Sequence, residues 1–337
     1  MSFVRNCWYV AARAEEVTAE APVARTLLGS PVVLFRLPDG TATALLDVCP
    51  HRAVPLSMGT VCDGRIRCAY HALEFDGDGI CRLNPHVPGP PEALRTRRFS
   101  VIERYGLVWF WPGDAPANEA MMPHYPQFDP GSGYEQGGSY THVEADYLLM
   151  LDNLFDLSHA EYVHPTSVGV PGASKVAQYR VVREDGAIRL HYDIPNVPPP
   201  AVWHAAWDRS ERIDQHAHMR WTGGGNVYLS LCVTPAGRPV DEGWNLPFLH
   251  LLTPETETTT HYFWTFARDF HLGQPGLTEA VEQVNRQAFE YEDKPVLEAS
   301  QLRISLTGAK LRNFSQGDAA SMSIRQALAR QAMAEAA

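Results

Sequence analysis

The chain has 337 residues, 45% of them apolar, and a formal charge of −11. That length suits about two domains with ordinary buried cores, and the acidic balance argues against a nucleic-acid partner, which a basic face would meet. Residues 1 to 20 lack a basic segment leading into an apolar run, and the most apolar stretch, Tyr147 to Phe155, is broken by Asp152, so neither secretion nor a membrane span is expected and a cytoplasmic location is.

From Trp8 to Ala12 and from Pro31 to Phe35 the residues are apolar and rich in valine. Pro38-Asp39-Gly40 then makes a turn before Thr41 to Val48, which predicts hairpins. Two ligand-bearing segments follow: Cys49-Pro50-His51-Arg52 and, with sixteen residues between His51 and Cys68, Cys68-Ala69-Tyr70-His71. Two sulfurs and two imidazoles on paired loops suit a Rieske [2Fe-2S] cluster, with Cys49 and Cys68 on one iron and His51 and His71 on the other. A tetrahedral zinc site uses the same residue types and stays open as an alternative. Pro50 and Pro55 stiffen the first loop, and Gly77-Asp78-Gly79 turns the strand after the second. The other cysteines, Cys7, Cys62, Cys81 and Cys232, read as structural thiols in a reducing compartment.

The apolar strand Leu107 to Trp111 ends at Pro112-Gly113-Asp114, which places the close of the first domain near Ala115. Residues 112 to 138 are rich in proline and glycine with little periodicity and read as an irregular connection.

The next chemistry lies in Asp152 to Pro165. Asn153, Asp156 and His159 are three apart, so on a helix they share one face with Leu149 behind them. His164 comes five residues after His159, about 140° further round an ideal helix, so the helix must bulge or end between them for both to reach one metal. Pro165 favours that, because it disfavours helical geometry at His164. Two histidines and one carboxylate would complete a facial set on Fe(II) and leave positions for dioxygen. The bland reading is that the two histidines cap a helix end.

Further on, Tyr179 to Val182, Ile188 to Tyr192, Tyr228 to Val233 and His261 to Phe266 predict an antiparallel sheet. From Leu277 the spacing turns helical and runs into Asp293-Lys294-Pro295, with Glu290, Glu292 and Asp293 as candidate carboxylates; alone, each is more simply a solvated helix charge. Leu302 to Leu311 is mixed in character, and Met322 to Ala337 reads as a short helix with an alanine-rich end.

Together the C-x-H and C-x-x-H segments and the N-x-x-D-x-x-H-x-x-x-x-H run resemble the Rieske non-haem iron oxygenases. Similarity to the vanillate and dicamba O-demethylase branch runs over nearly the whole chain, notably in Phe3-Val4-Arg5-Asn6, Leu73-Glu74-Phe75-Asp76-Gly77 and Leu252-Thr253-Pro254-Glu255-Thr256-Glu257.

The resemblance implies an α+β protein: a small all-β Rieske domain, residues 1 to 115, then a larger catalytic domain, residues 116 to 337, with an antiparallel sheet flanked by helices. It singles out Asp293 as the third ligand beside His159 and His164 on one Fe(II) per chain, with dioxygen as co-substrate. It makes Asp156 a bridge that accepts hydrogen bonds from His159 in its own subunit and from a cluster histidine, His71, across an interface, usually in a trimer. Asn153 stands beside the iron, and His250 matches a histidine that can bind a substrate carboxylate. Counted without gaps, the asparagine and tryptophan that hold substrate in the dicamba branch correspond to Leu229 and Val284, which implies a more apolar pocket and does not favour dicamba itself. Arg220, Asn226 and Tyr228 are further polar candidates.

No G-x-G-x-x-G or flavin motif is visible, so a separate ferredoxin or reductase is expected to supply electrons. The implied reaction is O-demethylation of a methoxylated aromatic, an acid for preference, with release of formaldehyde. Rivals are hydroxylation without demethylation, a Rieske electron carrier, which would leave the second domain without purpose, and a zinc hydrolase, which would leave the cluster without one.

Overall fold

The computed structural model describes residues 3–89 and 93–336. The strand-forming runs of the amino-terminal part fold as β1 (Tyr9–Arg13), β2 (Val23–Leu27), β3 (Ser30–Arg36), β4 (Ala42–Leu46), β5 (Thr60–Cys62), β6 (Arg65–Arg67), β7 (Glu74–Phe75), β8 (Cys81–Leu83), β9 (Arg98–Arg104) and β10 (Leu107–Trp111). They form a six-stranded sheet, β1-β10-β9-β4-β3-β2, and a four-stranded one, β5-β6-β7-β8. Pro38-Asp39-Gly40 turns β3 into β4, closed by the Gly40 amide on the Leu37 carbonyl at 2.9 Å. The two ligand segments are the β4–β5 and β6–β7 connections, and their cysteines belong to one apolar cluster with Phe35, Leu45, Ile66 and Phe75.

The chain divides into two compact units between Met122 and Pro123, and Thr253–Thr256 cluster with the first. In the second, β11 (Glu135–Val143), β12 (Gln178–Glu184), β13 (Ala187–Val197), β14 (Ile213–Trp221), β15 (Asn226–Pro235), β16 (Trp244–Pro254) and β17 (Thr260–Arg268) make a seven-stranded sheet. Strands β12 to β17 follow one another as a meander, and β11 lies beside β17 at the far edge. The strand β11 starts inside the stretch expected to be irregular, because its glycines face close neighbours: a Cβ on Gly138 would lie 2.4 Å from the Trp264 carbonyl. Strands β14 and β16 were not among the strand signals. The first carries a glutamine on its buried side and histidines on its outer side, and the second is buried on nearly every residue, so neither shows simple apolar alternation.

Helices α1 (Tyr147–Phe155), α2 (Ala160–Val163), α3 (Ala173–Val176), α4 (Ala201–His204), α5 (Leu277–Arg286), α6 (Lys294–Thr307) and α7 (Asp318–Glu335) accompany the sheet. Asp146 caps α1 by accepting the Leu148 amide at 3.0 Å, and Leu148, Leu151 and Phe155 bury its apolar residues. Arg325 of α7 holds Asp152 of α1. Helix α7 starts four residues before Met322, and the expected end at Ala337 lies outside the described residues. Between α5 and α6 the helix widens into a π-helical stretch, Gln287–Asp293, in which the Lys294 amide bonds the Phe289 carbonyl, five residues back. Pro295 explains the widening: it lacks the amide a regular helix needs there, and its ring crowds the preceding turn.

Candidate metal centres and cavity

The two ligand loops of the first unit have the same backbone. In each, the cysteine amide bonds a carbonyl five residues on, Val54 or Leu73, at 2.9 Å. An alanine amide four residues on, Ala53 or Ala72, returns to the cysteine carbonyl at 2.9 and 3.1 Å, and both alanines sit left-handed, at φ 57° and 54°. Cys49 and Cys68 are each 2% exposed, whereas His51 is exposed and His71 half-buried, their rings 4.6 Å apart. Burial raises the Cys49 thiol, as does the adjacent Cys68, while the amides of His51 and Arg52 bond its sulfur and pull the other way. Two buried sulfurs, that of Cys49 with amide donors, and two outer imidazoles fit the division of ligands in a Rieske cluster.

In the second unit the helix breaks twice: at His164, as the spacing and Pro165 predict, and earlier at Asp156. Asp156 has φ −123° and ψ 83°, and its Oδ1 accepts from the Ser158 amide and hydroxyl at 3.1 and 2.6 Å. This local bond competes with continuing the helix, so Asn153 and His159 do not share one helical face. A 3-10 turn, Leu157–His159, and the short α2 follow, and the chain leaves helical geometry at His164, with φ −115° and ψ 45°. Gly169 packs beneath: its amide bonds the His164 carbonyl at 2.9 Å, and a Cβ there would lie 2.3 Å from the Ala160 carbonyl.

His159, His164 and Asp293 meet, with one ligand atom from each within 4.8 Å of the others. Asp293 Oδ1 lies 3.4 Å from His159 Nε2 and 3.2 Å from His164 Nε2. The far nitrogens are both held: His159 Nδ1 donates to the Asp156 carbonyl at 2.6 Å and His164 Nδ1 to Glu292 Oε2 at 2.8 Å. With Nδ1 protonated, a neutral ring turns a lone pair of Nε2 towards an anionic oxygen, an arrangement that calls for a cation between them. Burial alone would raise the Asp293 carboxyl, but the His159 and His164 rings beside it hold it well below the usual carboxylate range. The donor set therefore fits a 2-His-1-carboxylate iron site.

Of the rival carboxylates, Glu290 pairs with Arg286 at 3.2 Å, and Glu292 serves His164 and the Ser167 hydroxyl. Asn153 Nδ2 lies 3.0 Å from Asp293 Oδ1 and 3.3 Å from His159 Nε2. The expected bond from His159 to the Asp156 side chain is instead made to its main-chain carbonyl; the carboxylate takes Ser158 and the Ser315 hydroxyl at 2.9 Å.

A cavity with about 750 Å³ of empty space, counting its mouth, opens beside these ligands. Leu229 lines it and Val284 does not; its neighbour Asn285 does, because the helix turns that residue to the buried side. Gln215, from the inner face of β14, is a second polar wall residue, found only once that strand is placed. Arg220, Asn226 and Tyr228 stay out of the lining, and no lysine or arginine enters it. His250 is buried between Phe248 and Phe289, and its Nδ1 lies 2.7 Å from the Tyr262 hydroxyl. Its Nε2 is buried without a hydrogen-bond partner. Burial pulls the imidazole down to about 3, so it is neutral at physiological pH. Among the described residues no helix is long and apolar enough to cross a membrane.

Residues 7–100 match the family model of the Rieske [2Fe-2S] domain and residues 143–334 that of the vanillate O-demethylase oxygenase C-terminal domain. The oxygenase component of dicamba O-demethylase from Stenotrophomonas maltophilia is 40% identical, over 90% of this chain and 89% of that protein. A vanillate O-demethylase oxygenase subunit from a Pseudomonas species is 33% identical, over 89% and 86%. The crystal structure of dicamba monooxygenase bound to 3,6-dichlorosalicylic acid matches with a TM-score of 0.93 at 37% identity, covering all of both chains. Dicamba monooxygenase with non-haem iron and dicamba matches at 0.84 and 35%, over 100% of this chain and 99% of that one.

Proposed function

The chain belongs to the Rieske non-haem iron oxygenases, as an oxygenase component of the vanillate and dicamba O-demethylase branch, and we propose that it removes the methyl group of a methoxylated aromatic acid. The observation that carries this reading is the wall of the cavity beside the three iron-ligand candidates: mostly apolar, with Asn153, Gln215, Asn285, the neutral His250 and the carboxylate of Glu161, itself held by the Gly172 and Ser174 amides, as its other polar groups.

In this reading Cys49, His51, Cys68 and His71 hold one [2Fe-2S] cluster and His159, His164 and Asp293 one Fe(II). Bound there, iron would activate dioxygen with electrons relayed through the cluster. The protein's own residues do the rest. Leu229, Phe248 and Phe289 take the ring and keep water from the reacting carbon. Tyr262 donates its hydroxyl proton to His250 Nδ1, which leaves Nε2–H to bond an acceptor oxygen on the substrate, a carboxylate in the reading preferred here. Asn153 donates to Asp293 and fixes its orientation.

Insertion of one oxygen atom into a methyl C–H bond takes up two electrons and two protons and releases water. The resulting hemiacetal breaks into phenol and formaldehyde. The electrons come from a ferredoxin or reductase. We place electron entry in residues 1 to 115, catalysis in residues 116 to 337, and the whole in the cytoplasm.

The same proposal makes the enzyme a head-to-tail trimer in which Asp156 meets the neighbour's His71. In its support, an exposed aromatic side chain stands beside each end of that contact: Tyr70 next to His71, and Phe314 next to the Ser315 that bonds Asp156.

The test is single turnover of the reduced protein with methoxylated aromatic acids, oxygen being admitted last. Equal formaldehyde and phenol establish O-demethylation. Hydroxylated product without formaldehyde overturns it in favour of simple hydroxylation.

A further inference from the structure

On the face of the sheet opposite the cavity, β13 and β14 place a second group of ligand-type residues. Side chains two apart on a strand share a face, and Asp193 is paired directly with His216, and His191 with His218. The residues that alternate with them, Tyr192, Ile194, Gln215, Ala217 and Met219, line the cavity from the other side.

Asp193 Oδ1 lies 2.6 Å from His216 Nδ1 and 2.9 Å from His218 Nε2, and one ligand atom from each residue lies within 4.8 Å of the others. The His191 ring stands edge-on to that of His218, centroids 4.3 Å apart, and its Nδ1 is buried with no hydrogen-bond partner. Two strands thus bring three imidazoles and one carboxylate together, while the side chains of Asp193, His216 and His218 keep 35, 18 and 33% exposure, enough for an ion to enter.

We propose that Asp193, His216 and His218 bind a second divalent transition metal of the zinc type, with His191 in reach as a further nitrogen ligand. Nitrogen-rich donors exclude magnesium and calcium as natural occupants. In a tetrahedral zinc site, neighbouring ligand atoms stand about 3.3 Å apart, so the ligands need to spread by less than about 1 Å, within the reach of side-chain rotation. The ion displaces the two protons now shared with Asp193 and ties β13 to β14, and so braces a wall of the cavity.

The experiment uses the holoenzyme, with cluster and mononuclear iron already filled and iron content checked before and after. Zn2+ is the probe, followed by equilibrium dialysis and by X-ray absorption at the zinc edge. One zinc per chain is expected, with a nitrogen and oxygen shell and no sulfur, and its affinity should fall at least about 100-fold in the His216→Ala/His218→Ala variant. Asp193→Asn, which keeps the shape of the side chain, should weaken it as well. The proposal is overturned if the parent takes up no zinc, if the variants bind it equally, or if the shell contains sulfur or oxygen alone. The absorption measurement on the parent decides even if a variant does not fold.

Discussion

Glu292 and Asp293 are neighbours in the chain and face the two nitrogens of one ring: Glu292 Oε2 lies 2.8 Å from His164 Nδ1, and Asp293 Oδ1 3.2 Å from His164 Nε2. On a regular helix, neighbours point about 100° apart. The π-helical stretch Gln287–Asp293 brings both carboxylates to the same imidazole, one to orient it and one to share its metal.

That division of labour separates two variants. Asp293→Ala should abolish iron binding and turnover. Glu292→Gln keeps an oxygen near Nδ1 but removes the charge, and should weaken iron by about 10–100-fold while the cluster stays intact. Chelator competition followed by iron analysis checks both; equal effects would contradict the assignment.

The same pair sets a pH dependence. Burial lowers the His164 imidazole, but Asp293 and Glu292 raise it by more, so in the iron-free protein it is more basic than an ordinary histidine. A histidine more basic folded than unfolded stabilises the fold below its unfolded pKa, about 6.5, and that contribution is lost as pH rises through the higher folded value. Iron replaces the proton, so the loaded protein lacks this term. The gap in unfolding temperature between iron-loaded and iron-free protein should therefore widen from pH 6 to about pH 8. A gap that stays constant would speak against it.

Much of this site was legible in the sequence, and the gaps have physical causes. The spacing of His159, His164 and Pro165 foretold the break at His164 but not the earlier one at Asp156, where the side chain of Asp156 caps the following turn. The cluster segments were plain because both cysteine–histidine pairs are local. Gln215 and Asn285 went unseen: one lies on a strand without clean alternation, and the other beside Val284, the position that counting without gaps selected.

Gly317 supports Asp156. A Cβ there would lie 2.6 Å from Asp156 Oδ1 and 2.9 Å from its Cα, so Gly317→Ala should shift the carboxylate without touching a metal ligand. Asp156→Asn keeps the shape and removes the charge. Both should retain cluster and iron yet slow cluster oxidation during turnover, by about 10–100-fold for Asp156→Asn. Stopped-flow absorbance of the cluster measures this, and normal rates in Asp156→Asn would remove the residue from the electron path.

His250 offers the sharpest separation of binding from stability. Its neutral ring, held at about 3 by burial, gives one donor to the cavity. His250→Phe removes that donor while keeping a ring between Phe248 and Phe289, so kcat/KM for an aromatic acid should fall by about 10–100-fold, the cost of leaving a buried acceptor unpaired. The same change should improve acid tolerance. A histidine less basic folded than unfolded stabilises the fold above about pH 6.5, and that contribution is lost as pH falls towards 3, an effect on the order of a few kcal/mol. Parent and variant melting curves, compared at pH 7 and pH 5, should therefore show a smaller acid penalty in the variant. A variant that loses activity but keeps the parent's acid sensitivity would mean that His250 is not buried neutral in solution.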